Sequence, residues 1–337
     1  MPSLKTEYLG LKLKNPVIAG SSDLTAHLPT LEKLEEAGVG AVVIKSLFEE
    51  EVHLKSLKQE AELHKNINLN AEFQSTFPQI RYSGPKEHMF WVKKSVETLS
   101  IPVIASLHAI LEESWIDYAQ RLEDLGVRAI ELNLHTAPYN WDKSGSEIEK
   151  EQIELLQKLR KKTALPLSVK ITPFYSNLFH FLKEVDQIGL EGIVLFNKPF
   201  FEDINIDTEE NRFTPVYNKS QDIRLPLYFT GLVSGSLKTP LCAAQGIQRS
   251  SDIIKLLLVG AACVQVTSVI YQKGIVFLPE LIQGISAWMD DKGYGKIGDF
   301  RGKLNRENNQ DSLSFSRSQY IKMLMQSSDD LMSQLLI

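Results

Sequence analysis

The feature that most constrains the fold of this chain is a series of eight short apolar segments, each followed by a stretch with helical character. The clearest is Ala-Val-Val-Ile-Lys at 41–45, which is rich in β-branched residues and typical of a buried strand. The eight predicted strands span residues 16–19, 41–45, 102–107, 129–134, 166–171, 192–196, 240–244 and 263–267. Parallel strands need helical crossovers, and eight such units most often close into a barrel. The sequence therefore predicts an α/β fold, a (βα)8 TIM barrel.

Helical patterns fill the spaces between these strands, apart from two irregular inserts. The predicted helices span residues 30–37, 85–99, 112–125, 147–162, 177–188, 226–233, 250–259 and 277–290. One insert follows strand two, with a polar helix at 49–63 and a loop at 66–84. The other follows strand six, at 197–221, where Ile204 and Ile206 suggest a small hairpin with Phe213 and Val216. We expect one barrel domain at 1–304 and a C-terminal tail at 305–337. An open doubly wound sheet is the alternative, but no Gly-x-Gly-x-x-Gly follows the first strand.

Charge and composition narrow the class of partner. The formal net charge of −5 and the absence of a basic stripe argue against a nucleic-acid partner. Cys242 and Cys263 each lie in an apolar run, which suits free thiols in a reducing compartment. The N-terminus carries no signal-peptide pattern, and no run of about 18 apolar residues predicts a membrane span. We expect a cytoplasmic protein.

Polar residues gather where the predicted strands end, which is where a βα barrel places its active site. In the stretch 129–136, alternation puts Glu131, Asn133 and His135 on one face. Lys45 and Lys170 each interrupt an apolar strand, and burying a charge without a purpose is costly. Either lysine could form a Schiff base, anchor an anion, stand beside a flavin ring as a cation, or simply reach solvent at the barrel rim.

The last two strand ends match the geometry of a barrel phosphate site. Gln245-Gly246 precedes a predicted helix, and Thr267-Ser268 follows strand eight. Neither Cys-x-x-Cys nor His-Glu-x-x-His spacing is present, so we predict no metal site. A Gly-x-Ser-x-Gly elbow is also lacking, so nothing supports a serine hydrolase.

Together these motifs resemble the dihydroorotate dehydrogenase family, over about residues 4–304. The resemblance rests on Asn15-Pro, Lys45-Ser46, Glu131-Leu-Asn133-Leu, Val169-Lys170, and Lys292-Gly-Tyr with Asp299-Phe-x-Gly-Lys-Leu304. Leu195-Phe-Asn197 followed by an acidic segment at 203–207 is similar to the divergent dihydroorotate dehydrogenase-like branch. The resemblance implies an FMN-containing βα barrel that oxidises dihydroorotate, a small molecule, to orotate in pyrimidine biosynthesis.

The resemblance also implies roles for individual residues. Gly20 and Ser21 would line the flavin, Lys45 and Ser46 would lie beside its ring, and Asn133 would contact flavin or substrate. Lys170 would stabilise the negative charge of the reduced flavin, and Asn197 would contact the cofactor at the end of strand six. The phosphate-binding positions would be Gln245, Gly246, Thr267 and Ser268.

The chain departs from the family pattern at the catalytic base. Thr136 stands where the family places Cys or Ser, and the orotate-binding loop is not recognisable within 66–84. We therefore predict an FMN-dependent oxidoreductase whose base is Thr136 or His135, with dihydroorotate as the default substrate. The alternatives are a flavin-binding barrel that has lost this reaction, and a lyase or aldolase that uses Lys170 or Lys45 as a Schiff base. A homodimer and an electron-transfer partner are further candidate interactions, and fumarate, NAD and quinone remain open as electron acceptors.

Overall fold

The computed structural model describes residues 1–48, 85–108, 112–134, 141–198, 203–212, 217, 219–309, 321 and 324–325. Eight parallel strands within them close into a barrel, with each strand hydrogen-bonded to the next along the chain and the last to the first. The barrel strands are β3 (Val17–Ala19), β4 (Ala41–Phe48), β5 (Val103–His108), β6 (Ala129–Asn133), β7 (Leu167–Ile171), β8 (Gly192–Leu195), β11 (Leu241–Ala244) and β12 (Cys263–Val266). The predicted (βα)8 barrel is confirmed, and the open doubly wound sheet is excluded.

Helices surround the barrel close to their predicted positions. They are α1 (Leu28–Glu36), α2 (Pro85–Thr98), α3 (Glu112–Asp124), α4 (Gly145–Lys162), α5 (Leu178–Ile188), α6 (Arg224–Val233), α7 (Ser250–Leu258), α8 (Ser268–Lys273) and α9 (Leu278–Lys292). The sequence did not predict α8, a short helix directly after the last barrel strand. No helix in the described part of the chain is both long and apolar enough to cross a membrane.

Four predicted strands begin one residue too early, and each of them was predicted to start at a proline. The carbonyl oxygens of Pro16, Pro102, Pro166 and Pro240 each accept a hydrogen bond from the neighbouring strand. Proline has no N–H to donate in return. The regular pairing, in which a residue both donates and accepts backbone hydrogen bonds, therefore begins at the following residue.

An N-terminal hairpin, absent from the sequence-based prediction, closes the bottom of the barrel. It pairs β1 (Thr6–Tyr8) with β2 (Leu11–Leu13) in antiparallel register. Tyr8 is 1% exposed and packs against Gly192, where an added Cβ would lie 2.5 Å from the tyrosine Oη. Leu9 and Leu13 are buried with Tyr8, so the hairpin packs against the N-terminal end of the barrel interior.

The second insert contains a hairpin, formed by β9 (Asp203–Asn205) and β10 (Glu210–Arg212). Of the residues predicted to build one, Ile204 lies in β9 and Ile206 in the turn after it, so the second strand begins earlier than predicted; Phe213 and Val216 lie outside the described residues. The first insert, at 49–84, also lies outside them. In the predicted tail, Arg306 N donates to Gly231 O at 2.8 Å, so residues just beyond the predicted boundary at 304 still contact the barrel's helices.

Candidate active site

A cavity of about 540 Å³ opens at the C-terminal ends of the barrel strands. Its volume falls in the range of about 300–1,000 Å³ typical of small-molecule sites. Most of the residues predicted to bind a cofactor line it, namely Ser21, Lys45, Ser46, Asn133, Lys170, Asn197, Gln245, Gly246, Thr267 and Ser268. These positions are spread over 248 residues of sequence (21 to 268), and barrel closure brings them together.

Gly20 is the predicted residue that lies behind the cavity wall. Its N–H donates to Val266 O at 3.0 Å. A Cβ at this position would lie 2.7 Å from Thr267 Oγ1 and 3.3 Å from Gln265 Oε1. The absence of a side chain therefore lets β3 pack closely against the wall residues that follow β12.

The floor of the cavity is a buried polar network of three side chains from three strands. Lys170 Nζ donates to Gln265 Oε1 at 2.7 Å and lies 3.4 Å from Glu131 Oε1, while Gln265 Nε2 donates to Glu131 Oε2. Glu131 is 1% exposed, Gln265 4% and Lys170 9%. Each buried charge thus has both an opposite charge and hydrogen-bond partners, which is the condition for keeping it inside a barrel.

The wall formed by β3, β4 and β5 carries a row of hydroxyl groups. Ser46 Oγ lies 2.6 Å from Ser106 Oγ and 3.2 Å from Ser21 Oγ, and Ser46 N donates to Ser21 Oγ at 3.0 Å. Lys45, the neighbour of Ser46, pairs with Asp23 at 2.8 Å near the rim. This side of the cavity can donate and accept hydrogen bonds without adding net charge.

Three side-chain amides and a strained backbone form the opposite wall. Asn197 Nδ2 donates to Asn133 Oδ1 at 3.0 Å, and Gln245 Nε2 donates to Asn197 O at 2.7 Å. Gln245 has a φ of +84°, a region that non-glycine residues seldom occupy. Such strain persists where surrounding contacts hold it, here the bond to Asn197.

Gly246 allows the closest backbone approach in the wall. Its φ is +71°, and a Cβ there would lie 2.0 Å from the backbone N of Ile223. Only glycine fits this position, so the loop after β11 can run against the segment that precedes α6.

The rim carries two tyrosines and a third lysine. The rings of Tyr217 and Tyr271 stack with centroids 5.3 Å apart, and both line the cavity. Burial raises the pKa of Tyr271 above its usual value. Burial lowers the pKa of Lys198, which also lines the cavity, although the charge of Asp222 opposes this shift.

Some residues of the cavity have no role assigned from the sequence, and two predicted residues are not tested by the structure. Thr136 and His135, the predicted bases, lie outside the described residues. The additions from the barrel strands are Ser106, His108, Glu131 and Gln265. Strand alternation carries the signal for them, because Ser106 and His108, Glu131 and Asn133, and Cys263 and Gln265 are spaced two apart.

Comparison with known proteins supports the family resemblance. A family model described as dihydroorotate dehydrogenase matches residues 3–289. The catalytic subunit of dihydroorotate dehydrogenase B (NAD(+)) from Pyrococcus abyssi is 25% identical over 316 residues, covering 89% of this chain and 98% of that protein. The subunit of the same name from Geobacillus kaustophilus is 24% identical over 322 residues, covering 90% and 96%. That from Methanocaldococcus jannaschii is 22% identical over 305 residues, covering 86% and 94%.

The match covers the barrel from its N-terminal hairpin into α9, and therefore includes every strand that contributes to the cavity. The chain belongs to the dihydroorotate dehydrogenase family of flavin-dependent oxidoreductases, which act on CH–CH groups.

Proposed function

We propose that this protein binds FMN in the cavity and oxidises dihydroorotate to orotate. The observation that carries the proposal is the buried ammonium of Lys170, held at the cavity floor by Glu131 and Gln265. A fixed positive charge in a site shielded from water stabilises negative charge that develops on a bound group. A reduced flavin carries such a charge, as the family resemblance implies.

The residues present fit FMN in size and in chemistry. The cavity is large enough for a flavin, and one end of it is formed by the loops after β11 and β12, where barrel folds bind phosphate. The other side presents the Ser21 and Ser46 hydroxyls and the Asn133 and Asn197 amides, which can satisfy the polar edge of a flavin ring.

Bound FMN would supply the two-electron acceptor for a hydride taken from the substrate. The protein's own part is positioning and charge. Lys170 provides the counter-charge, the paired amides of Asn133 and Asn197 orient bound groups, and Lys45 stays near the rim through its ion pair with Asp23.

The Schiff-base alternative is less well supported. A lysine nucleophile must lose its proton before it attacks a carbonyl. Lys170 donates to a buried carboxylate and to an amide oxygen, and Lys45 pairs with Asp23 at 2.8 Å. Each ammonium group is thus held against a carboxylate, an arrangement that suits an electrostatic role better than a nucleophilic one.

Two spectroscopic experiments test the proposal. The purified protein should carry a flavin absorbance spectrum, or acquire one when FMN is added, and anaerobic dihydroorotate should bleach it. A protein that binds no flavin under either condition refutes the cofactor. A flavin that dithionite bleaches but dihydroorotate does not refutes the substrate and favours the alternative of a barrel that has lost the family reaction.

We further propose that the reduced flavin passes its electrons to a partner protein. The relatives are named as catalytic subunits of an NAD(+)-linked enzyme, which supports NAD as the final acceptor. NAD(+) alone should then reoxidise the reduced protein slowly, and rapid reoxidation by NAD(+), fumarate or a quinone without a partner would contradict this.

The proposed cytoplasmic location can be checked by cell fractionation, and the proposed homodimer by light scattering.

A further inference from the structure

His108, at the C-terminal end of β5, lines the cavity but has no role in the function proposed so far. Its Nδ1 lies 2.9 Å from the backbone oxygen of Asn133, and its ring meets Trp115 edge to face with centroids 6.4 Å apart. These contacts fix the ring beside Asn133, whose side chain bonds Asn197.

The bond to Asn133 determines the tautomer of the His108 ring. A carbonyl oxygen can only accept a hydrogen bond, so Nδ1 must carry a proton. In the neutral ring the lone pair is then on Nε2, which is the arrangement found in histidine bases whose other nitrogen is held by a backbone carbonyl.

Three other titratable groups of the cavity, Glu131, Asp23 and Tyr271, are poorly suited to accept a proton. Glu131 is engaged by Lys170 and Gln265, and Asp23 by Lys45. Burial raises the pKa of Tyr271, so its phenol stays protonated near neutral pH. A serine hydroxyl such as that of Ser46 needs a neighbouring base to act as one.

We propose that Nε2 of His108 is the catalytic base of the oxidation, in a chain that carries threonine at the family's base position. The proposal rests on the proposed function. Nε2 takes a proton from one carbon of the substrate CH–CH unit, while the neighbouring carbon gives up a hydride to the oxidised flavin. The single bond becomes a double bond, and the imidazolium returns its proton to solvent.

The first test needs neither flavin nor substrate. The chain has seven histidines, so nitrogen-15 NMR of histidine-labelled protein should resolve their rings, and His108→Gln identifies the signals of this one. We expect the neutral ring to carry its proton on Nδ1, with Nε2 unprotonated. A neutral ring that is protonated at Nε2 overturns the proposal.

The second test follows anaerobic reduction of the flavin by dihydroorotate as a function of pH. The titratable groups that share the cavity with His108 are Asp23, Lys45, Glu131, Lys170, Lys198, Tyr217 and Tyr271. Protonation of the base slows the reaction on the acidic side. Because Asp23, Glu131 and Lys198 share the cavity, the fall is assigned to His108 only if His108→Gln removes it. His108→Gln, which keeps an N–H donor for Asn133 O, should slow reduction by about 10²–10⁴-fold and abolish the acidic fall.

Matched variants separate this proposal from the base predicted from sequence. His180→Gln, at a solvent-exposed site on α5, should leave the rate unchanged, and Thr136→Val and His135→Gln should cost less than His108→Gln. If Thr136→Val abolishes reduction while His108→Gln keeps both the rate and the acidic fall, His108 is not the base. His108→Asn serves if the glutamine variant does not fold. A protein without flavin refutes the proposed function instead, and the NMR result then still decides the tautomer on which the base depends.

Discussion

At the scale of single residues, the cavity depends on a buried ion pair whose members need each other. The side chain of Glu131 is 1% exposed and that of Lys170 is 11% exposed. Removing one member of the pair leaves the other as an uncompensated charge buried away from water, which destabilises the fold. Removing both charges together need not destabilise it. The network is therefore explained by function more readily than by stability.

Lys170→Met should destabilise the flavin-free protein by about 3–5 kcal/mol, because Glu131 loses its counter-charge. The matched double variant, Lys170→Met with Glu131→Gln, should recover most of that loss. Denaturant unfolding of the variants measures both effects. Reduction of bound flavin should stay impaired in the double variant, since the positive charge is still missing; recovery of normal reduction there would show that Lys170 has no electrostatic role.

Comparing Gly246 with Gly10 separates two costs of adding a side chain: contact with neighbouring backbone, and strain at a positive φ. Gly246 and Gly10 have φ values of +71° and +67°, but no heavy atom lies within 4 Å of a Cβ built at Gly10. Gly10→Ala should therefore cost only the strain of alanine in this region, about 1–2 kcal/mol. Gly246→Ala should cost about 1–3 kcal/mol more, because the new methyl group meets backbone of Ile223. Equal unfolding free energies for the two variants would show that the segment around Ile223, which precedes α6, moves aside freely.

At the scale of secondary-structure elements, the sequence predicts well what depends on local pattern. All eight barrel strands are found, because each is an apolar run beside a helical pattern. The errors arise from longer-range contacts. The N-terminal hairpin has strands of three residues each, and its burial depends on Gly192 lacking a side chain to make room for Tyr8. No periodicity within residues 6–13 could reveal that contact.

The same limit applies to the candidate site. Sequence reasoning located Lys170 from a charge within an apolar strand, but not its partner Gln265, which is 95 residues away along the chain. Likewise His108 becomes a candidate base only when its bond to Asn133 O is visible, since the tautomer depends on a backbone atom of another strand. Pairings of this kind depend on barrel closure and not on local composition.

The hydrogen bonds between Glu35, in α1, and the segment before β5 should stabilise the protein less at acidic pH. Burial alone would raise the pKa of Glu35, but bonds from Ser100 Oγ and N and from Ile101 N hold it below its usual value of 4.5. A carboxyl group whose pKa is lowered by folding contributes stability above its unfolded pKa and loses it as the pH falls through the folded pKa. Stability of the native protein should therefore fall below about pH 4.5.

Glu35→Gln provides the comparison. It cannot titrate, so its unfolding free energy should depend less on pH below about pH 4.5 than that of the native protein, while being lower at pH 7. Chemical denaturation at pH 7, 5, 4 and 3 measures the difference. Glu36→Gln, on the exposed side of the same helix end, should follow the native curve, and parallel curves for all three proteins would exclude a role for Glu35.

At the scale of the whole molecule, the cavity is built by both halves of the barrel. Asn133 and Lys170 come from β6 and β7, whereas the predicted phosphate positions follow β11 and β12. A ligand that reaches both sides would cross-link strands far apart in the chain, so binding and global stability should be coupled. Ligand at about 100 times its dissociation constant should stabilise the protein by about 2.7 kcal/mol.

Because binding stabilises the protein, melting temperatures can show whether the phosphate end of the proposed cofactor contributes to binding in addition to its ring. FMN should raise the melting temperature more than riboflavin, which has the same ring without the phosphate, because hydrogen bonds to a charged group are worth about 1.5–3 kcal/mol each. Thr267→Val should narrow the difference by removing a hydroxyl at the predicted phosphate end. Thr6→Val removes the bond from Thr6 Oγ1 to Ala262 O at the opposite end of the barrel, and should lower stability without changing the preference for FMN. Equal shifts with FMN and riboflavin in the native protein would mean that the loops after β11 and β12 do not bind phosphate.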